Sequence, residues 1–151
     1  MRLYVDMDGV LADFDKHHET VFGYRPCKKS DNVDWKRVRE ERNFYFNIPP
    51  MEDMFVLWEY IERYDPVVLT GVPYSVEDAE DNKKGWVKKN LGSHVGVICC
   101  PSRNKSLYCQ QGDILIDDWE KYRDLWINRG GVWITHTSAE ETINELEEYG
   151  L

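Results

Sequence analysis

The sequence predicts an α/β fold, a three-layer sandwich in which a central parallel sheet of about five strands lies between helices. Two features support it. Short apolar segments of strand length alternate along the chain with longer segments whose apolar residues recur at helical spacing. The strand-like segments are continuously apolar, as is typical of strands that are buried on both faces of a sheet. The 151 residues suffice for one domain, residues 1–151, with a sizeable core.

The first 50 residues predict one strand, one helix and an insertion. Leu3–Val5 is an apolar run that stops abruptly at Asp6, and residues 11–22 place apolar side chains on one face of a helix. Between residues 23 and 50 this periodicity is lost among prolines, charged side chains and an aromatic run. We therefore expect a small insertion at about residues 23–50, called the cap segment below, with a short helix over 33–42.

The remaining residues predict four further strands separated by helices. Apolar residues at helical spacing predict helices over 54–64, 119–126 and 139–146, and a further helix is expected to end at about Asn90, before Gly92. Apolar strand-like runs cover 66–70, 95–99, 113–116 and 132–135. Ser75 and Asp78 resemble a capping pair for the helix over 78–90, and Ser138 with Glu141 resembles a capping box for the last helix. This order of strands and helices is typical of a parallel sheet with helical crossovers.

The composition narrows the classes of function. There are 19 basic and 28 acidic residues, and the net charge of −9 argues against general binding to nucleic acid. Basic side chains concentrate between residues 25 and 42, where a solvated charged face is the simplest interpretation. No apolar run approaches the roughly 20 residues of a membrane-spanning helix, and the N-terminus shows no secretory signal. The 4 cysteines form no C-x-x-C pair, which favours free thiols in a reducing cytoplasm over a zinc site.

Acidic residues follow two of the predicted strands. Asp6 and Asp8 come directly after the first strand, and Asp117 and Asp118 come after the fourth. Because ligands of open parallel sheets bind beyond the carboxyl ends of the strands, we expect these carboxylates to converge on one small volume. Negative charges at such short distances from one another need a cation to neutralise them. A site with only oxygen ligands and few carboxylates suits Mg²⁺, which can bind a substrate phosphate at the same time.

Other polar groups expected at the same edge of the sheet fit a phosphate. Thr70 offers a hydroxyl and Gly71 an unhindered amide at the end of the second strand, and Lys105 offers a cation shortly before the fourth. A hydroxyl, free amides, a lysine and a metal are the parts that hold a phosphoryl group. Each residue alone is more simply a turn, cap or surface residue. Their joint placement at successive strand ends favours phosphate chemistry.

These residues resemble the motifs of the haloacid dehalogenase superfamily of phosphohydrolases. Segment 6–14, Asp-Met-Asp-Gly-Val-Leu-Ala-Asp-Phe, is similar to the first motif and, more narrowly, to that of the 5'(3')-deoxyribonucleotidases. Segment 69–71 resembles the second motif, Lys105 the third-motif lysine, and segment 114–118 the fourth motif. Runs at 43–46, 83–87 and 103–105 resemble the nucleotidases in the same order, so the resemblance covers about residues 3–119.

The resemblance implies a Rossmann-like fold with a small cap after the first strand, and a two-step phosphoryl transfer. Asp6 would attack phosphorus and form an aspartyl-phosphate. Asp8 would protonate the leaving alkoxide and then activate water. Mg²⁺ would be bound by the Asp6 carboxylate, the Asp8 main-chain carbonyl and one or both of Asp117 and Asp118.

The resemblance also implies contacts to the phosphate. Thr70 and Lys105 would hold phosphate oxygens. Gly71 stands where the nucleotidases usually carry serine, so its contribution would come from the backbone. Lys83 is the alternative to Lys105 as the phosphate-binding lysine.

Substrate contacts are implied for three residues. Phe14 matches a position whose ring stacks on the base in the nucleotidases, and Arg103 matches a substrate contact. Trp35 in the cap segment is a further aromatic candidate, for which packing within the cap segment is the alternative.

Three functions follow as hypotheses. The first is a Mg²⁺-dependent phosphatase in the cytoplasm that hydrolyses the phosphomonoester of (deoxy)ribonucleoside monophosphates, with no membrane partner. The second is the same chemistry on nucleic-acid ends or another small phosphoester, which the basic stretch over 25–42 favours and the net charge disfavours. The third is a non-enzymatic phosphate- or metal-binding module. The presence of both Asp6 and Asp8 disfavours the third, because a binder needs no second carboxylate placed as an acid.

Overall fold

A parallel sheet organises the chain. The computed structural model describes residues 1–151, and its strands are β1 (Leu3–Val5), β2 (Val67–Gly71), β3 (Val97–Cys100), β4 (Ile114–Asp117) and β5 (Val132–Thr135). They lie in the order β3-β2-β1-β4-β5, and every neighbouring pair is parallel. The chain runs outward from β1 to β3 and then returns to the other side of β1. The direction therefore switches between β1 and β4, which is where ligands of such sheets bind.

Helices connect and cover the strands. They are α1 (Phe14–Phe22), α2 (Trp35–Glu40), α3 (Met54–Ile61), α4 (Ala79–Asn90), α5 (Arg123–Ile127) and α6 (Ala139–Glu148), with 3₁₀ turns at Glu62–Tyr64, Ser102–Tyr108 and Glu120–Tyr122. None of them is long and apolar enough to cross a membrane. The predicted fold class, a parallel α/β sheet of five strands flanked by helices, is confirmed.

The side chains of β1 divide between two buried clusters. Leu3 and Val5 belong to the larger cluster, together with Leu57 of α3 and Leu146 of α6. Tyr4 points into the smaller cluster, where its ring meets that of Trp126 of α5 edge-on with 5.6 Å between centroids. Because successive side chains of a strand face opposite sides of the sheet, both faces at β1 are covered. This explains the continuous apolar character of the strands.

Helix α1 begins at Phe14 rather than at residue 11. Residues 7–12 form a tight turn, in which the N–H groups of Leu11 and Ala12 both donate to the Met7 carbonyl. Gly9 has φ +84° in this turn, and a Cβ there would collide with the Asp118 carboxylate. The turn therefore needs glycine both for its backbone conformation and for the close approach of β4. Asp13 Oδ1 then accepts from the Lys16 N–H at 3.2 Å and caps the helix.

The predicted capping pair of α4 is wrong. The Asp78 side chain makes no cap hydrogen bond, and its Oδ2 instead accepts from the Asn43 N–H at 3.0 Å. From the same helix, Trp86 Nε1 donates to the Ile48 carbonyl at 2.6 Å. Both bonds tie the cap segment to α4. At α6, in contrast, the predicted cap forms, because Ser138 Oγ accepts from the Glu141 N–H at 3.2 Å.

Other helix boundaries also differ from those that the apolar periodicity predicts. The cap segment contains the short α2, inside the predicted 33–42. The 3₁₀ helix Ser102–Tyr108 has no counterpart in the prediction, and the helix predicted over 119–126 is divided into a 3₁₀ turn and α5. Helix α3 likewise ends at Ile61 and continues as 3₁₀ to Tyr64.

Candidate active site

Strands β1 and β4 bring three carboxylates together. Val5 pairs with Ile116, and the Asp6 N–H donates to the Ile116 carbonyl at 2.9 Å, so the residues that follow the two strands are neighbours. The carboxylates of Asp6, Asp117 and Asp118 each offer an oxygen, and these oxygens lie within 4.8 Å of one another. The cluster lies in a cavity of about 1000 Å³ beyond the carboxyl ends of the strands. Of the four aspartates predicted to converge, Asp6, Asp117 and Asp118 bring their carboxylates together, and the Asp8 carboxylate is not part of this group.

Two lysines compensate the cluster. Lys105 is buried, and its Nζ donates to Asp6 Oδ1 at 2.9 Å and to Asp117 Oδ2 at 2.8 Å. Lys28 of the cap segment is exposed, and its Nζ donates to Asp118 Oδ2 and to the Asp118 carbonyl. These are charge-assisted hydrogen bonds in a partly dry site, which are stronger than neutral ones.

The two ammonium groups offset only part of the cost of burying these neighbouring negative charges. Burial, and next the neighbouring Asp6 carboxylate, raise the pKa of Asp117 to about 7. The same two causes raise the pKa of Asp118 to about 6. A carboxylate whose charged form is penalised in this way favours an added cation.

The donor set fits Mg²⁺. Three carboxylates gather their oxygens around one point, and no histidine or cysteine takes part. Hard oxygen ligands of this kind suit Mg²⁺ and do not favour zinc or copper. Asp6, Asp117 and Asp118 would hold the ion, whereas the predicted ligation by the Asp8 main-chain carbonyl stays a prediction.

The Asp8 carboxylate turns away from this cluster and toward α4. Its Oδ2 accepts from Lys83 Nζ at 2.8 Å, and its Oδ1 is buried without a hydrogen-bond partner. Burial raises the pKa of Asp8, and the nearby Lys83 opposes the rise. Asp8 is thus a partly exposed residue at the wall of the cavity, with its Oδ2 bonded to Lys83 and its Oδ1 buried and unpaired.

Thr70 and Gly71, at the end of the second strand, lie differently with respect to the cavity. Thr70 is fully buried, its Oγ1 accepts from Lys83 Nζ at 3.0 Å, and it does not line the cavity. Gly71 does line the cavity, and a Cβ there would collide with Ser102 Oγ. The hydroxyl of Ser102 therefore occupies the space that a side chain at residue 71 would need. The phosphate-binding role of Thr70 and Gly71 stays a prediction.

The three predicted substrate contacts all line the cavity. Phe14 and Trp35 lie beside each other with ring centroids 6.2 Å apart, and Arg103 lies on the 3₁₀ helix that also carries Lys105. Phe14 also contacts the rings of Phe44 and Tyr45 of the cap segment at 5.5 and 6.0 Å. The aromatic wall is thus built jointly by α1 and the cap segment.

Sequence reasoning missed two site residues. Lys28 belongs to the basic stretch over 25–42, which was interpreted as a solvated face. Nothing in its position in the sequence indicates that its side chain reaches Asp118. Ser102 precedes Arg103 and Lys105 in a segment for which no element was predicted. Gly71 was a signal for such a residue. A glycine beside a predicted phosphate site leaves space that a side chain from another segment can fill, and Ser102 fills it.

The chain is similar in sequence to a phage protein. No family model matches the chain. The chain is 25% identical over 120 residues to a Vibrio phage KVP40 protein described as "Putative 5'(3')-deoxyribonucleotidase". The match spans 79% of this chain but 66% of the length of the phage protein, just under two thirds.

Two solved structures are similar to the chain at low sequence identity. A hydrolase from Streptococcus pneumoniae matches with a TM-score of 0.52 and 12% identity, covering 99% of this chain and 98% of the other. A haloacid dehalogenase-type hydrolase of family IA, variant 3, from Entamoeba histolytica matches with a TM-score of 0.47 and 13% identity, covering 97% and 88% of the two chains. At 12% identity, the likeness to the Streptococcus pneumoniae hydrolase is one of fold.

Three features now agree: a five-stranded parallel sheet, acidic residues gathered where its direction switches, and a nucleotidase-like relative in sequence. The chain has a Rossmann-like parallel α/β fold, which it shares with the hydrolase from Streptococcus pneumoniae, and it resembles in sequence a phage protein described as a putative 5'(3')-deoxyribonucleotidase.

Proposed function

We propose that the protein is a Mg²⁺-dependent phosphatase that hydrolyses the phosphomonoester of (deoxy)ribonucleoside monophosphates through an aspartyl-phosphate on Asp6. The observation that carries the proposal is the gathering of Asp6, Asp117 and Asp118 within 4.8 Å of one another, with Asp8 two residues along the chain. One carboxylate as nucleophile and a second, separately placed carboxyl as acid form the minimal set for a two-step transfer.

Asp6 is the nucleophile of this proposal. Its carboxylate attacks phosphorus, the bond to the leaving oxygen breaks, and Asp8 gives its proton to that oxygen. In the second step Asp8 takes a proton from water, which attacks phosphorus and releases phosphate from Asp6. Asp6, Asp117 and Asp118 would hold Mg²⁺, which would offset the negative charge of the attacking carboxylate and of the phosphate oxygens.

Lys105, rather than Lys83, is the proposed phosphate lysine. An ammonium group has three N–H donors. Lys105 Nζ uses two of them on Asp6 and Asp117, so one remains for a phosphate oxygen. Lys83 Nζ has three acceptors, Asp8 Oδ2, Thr70 Oγ1 and the Gly71 carbonyl, and it is fully buried.

A nucleoside is the proposed leaving group. The cavity of about 1000 Å³ is large for phosphate alone, and Phe14 and Trp35 present rings to it. A planar base can stack on such rings, and Arg103 at the wall can contact polar groups of the substrate. The relative described as a nucleotidase supports the same substrate class.

All 4 cysteines are free, which supports the proposed location in the cytoplasm.

The test is phosphate release from a panel of ribo- and deoxyribonucleoside monophosphates, with sugar phosphates as the comparison set. We expect release with Mg²⁺, none after chelation, and a loss of at least about 10³-fold in Asp6→Asn, with the variant remaining folded by circular dichroism. Release from sugar phosphates alone would contradict the substrate class, and full activity of Asp6→Asn would contradict the mechanism.

A second candidate is the same chemistry on nucleic-acid ends. Its support is that Arg25 and Lys28, two cations of the cap segment, line the cavity. A 3'-phosphorylated oligonucleotide in the same assay separates the two. Faster release from the oligonucleotide than from the free nucleotide would favour this candidate.

A further inference from the structure

A serine hydroxyl lies at the end of β2, although it belongs to another part of the chain. Gly71 pairs with Cys100, so β2 and β3 end side by side. The Val72 N–H donates to the Cys100 carbonyl at 2.9 Å, and Ser102 follows two residues after that cysteine. A Cβ at residue 71 would collide with Ser102 Oγ, which therefore lies where a side chain at the end of β2 would begin.

The Ser102 hydroxyl is open to the cavity. Ser102 is partly exposed and belongs to the cavity wall. Its Oγ has no hydrogen-bond partner in the chain and is not buried. A hydroxyl offers one O–H donor and two lone pairs. All of them are therefore available to a molecule bound in the cavity.

The 3₁₀ helix Ser102–Tyr108 places this hydroxyl on the same side as Lys105. In a 3₁₀ helix the side chains of residues i and i+3 eclipse, so those of Ser102 and Lys105 project from the same side. Both residues line the cavity, as does Asp6, which accepts from Lys105 Nζ at 2.9 Å. Lys105 Nζ also donates to Asp117 and keeps one N–H. The helix therefore presents two neighbouring donors, an O–H and an N–H, beside Asp6.

The hydroxyl of Thr70 at the same strand end is placed differently. Thr70 is fully buried and does not line the cavity, and its Oγ1 accepts from Lys83 Nζ at 3.0 Å. Gly71, the next residue, has no side chain. Ser102 is therefore the residue at this strand end whose hydroxyl can reach a ligand.

We propose that Ser102 is a substrate-binding residue whose hydroxyl donates to a phosphate oxygen next to Lys105. This inference rests on the proposed function and adds to it a phosphate contact from the 3₁₀ helix. A phosphate oxygen is a charged acceptor, and a hydrogen bond to a charged group is stronger than a neutral one. No covalent bond changes at Ser102. The hydroxyl keeps its proton and offsets part of the negative charge on the phosphate oxygens while Asp6 attacks phosphorus.

Binding of inorganic phosphate, the product of the proposed reaction, tests the contact without turnover. Isothermal titration calorimetry in the presence of Mg²⁺ gives its Kd for wild type, Ser102→Ala and the control Ser106→Ala. Ser106 lies in the same helix and does not line the cavity. We expect the Kd to rise about 10-fold or more in Ser102→Ala and to stay at the wild-type value in Ser106→Ala. An unchanged Kd in Ser102→Ala, or a wild type that binds no phosphate, would overturn the inference.

Turnover separates a contact to the phosphate from a contact to the nucleoside. In Ser102→Ala, kcat/KM should fall about 10-fold or more with a nucleoside monophosphate and by a similar factor, within about 3-fold, with p-nitrophenyl phosphate. The two substrates share only the phosphate, so a loss confined to the nucleotide would overturn the inference. A wild type that binds inorganic phosphate and hydrolyses neither substrate would instead overturn the proposed function.

Moving the hydroxyl across the contact tests its position. Gly71 has no positive φ, so serine is compatible with its backbone once the collision is removed. Gly71→Ser/Ser102→Gly removes the hydroxyl from the helix and supplies one from β2. It should bind phosphate at least about 5-fold more tightly than Ser102→Gly, which has no hydroxyl at either position. Equal Kd values for these two variants would overturn the placement of the donor. Urea denaturation of each variant checks that it is folded.

Discussion

At the scale of single residues, the site depends on charges that are buried but paired. Lys105 and Asp117 are both almost fully buried, and each supplies the partner that the other needs. Burying a charge is costly, and removing one partner leaves the other charge without compensation. The same side chains that would bind metal and phosphate therefore also set the stability of the free protein.

Lys105→Met should strongly destabilise the protein in the absence of Mg²⁺. The substitution leaves Asp6 and Asp117 without their ammonium, at an expected cost of about 3–5 kcal/mol in the free energy of unfolding. Urea denaturation with and without excess Mg²⁺ measures it, and the metal should restore part of the loss. Arg123→Met, which breaks the exposed pair with Glu120, should cost less than about 1 kcal/mol. The comparison is made at pH 8, because the pKa of Asp117 is raised to about 7, and a small loss in Lys105→Met at that pH would contradict this compensation.

Gly71 and Ser102 should be energetically coupled. A Cβ at position 71 would collide with Ser102 Oγ, so Gly71→Ala forces the serine to move. We expect a loss of about 1–3 kcal/mol in the free energy of unfolding, as for other overpacked sites. In the Ser102→Gly background the same change should cost less than half as much, because the collision is removed. Additive costs in the four-variant cycle would contradict this contact.

At the scale of elements, the junction of β5 and α6 contains a buried histidine. His136 follows β5, its N–H donates to the Asp117 carbonyl at 2.9 Å, and its Nδ1 lies 2.8 Å from Thr142 Oγ1 in α6. Its Nε2 is buried without a partner. Burial lowers the pKa of His136, although the Asp53 and Asp6 carboxylates oppose the shift. The neutral ring is therefore part of the packing between strand and helix.

This histidine should make stability depend on pH. Below the ordinary imidazole value of about 6.5, the unfolded chain binds a proton at His136 that the folded chain does not. The raised pKa values of Asp117 and Asp118 act in the opposite direction over the same pH range, so the contribution of His136 is measured as a difference. The free energy of unfolding of His136→Asn, relative to that of the wild type, should rise as the pH is lowered from about 7 toward 5. Urea denaturation at several pH values measures both slopes. His94 is exposed, and His94→Asn should keep the wild-type slope. Equal slopes in wild type and His136→Asn would contradict a neutral, buried ring.

Elements and site were predictable to different extents, and the reason is physical. Strands buried on both faces are read directly from apolar runs, and the acids at their ends follow from the parallel order, so Asp6 and Asp117 could be placed together. Helix ends depend on which backbone groups find partners. Asp78 bonds Asn43, a residue far away in sequence, and no local pattern encodes that choice. The ion pair of Lys28 with Asp118 depends in the same way on how the cap segment lies over the sheet.

At the scale of the whole molecule, part of the negative charge of the chain is concentrated in the cavity. The net charge is −9, and three carboxylates of the cavity lie within 4.8 Å of one another at the switch between β1 and β4. An ion bound there would join the two halves of the sheet, because Asp6 follows β1 while Asp117 and Asp118 come from β4 and the residue after it. Binding at this position should therefore stabilise the fold as a unit.

Mg²⁺ should raise the melting temperature of the wild-type protein. A ligand that binds only the folded state at 100 times its Kd adds about 2.7 kcal/mol, which corresponds to a shift on the order of 5–10 °C for a chain of this size. Thermal denaturation with Mg²⁺, and with Na⁺ at the same ionic strength, measures the specific part, since screening acts in both. Asp118→Asn removes one of the three carboxylates and should abolish most of the shift. Asp15→Asn, which changes a cavity-lining carboxylate outside the cluster, should retain it. A shift that survives in Asp118→Asn would place the metal elsewhere, and no shift in the wild type at any Mg²⁺ concentration would contradict the metal site.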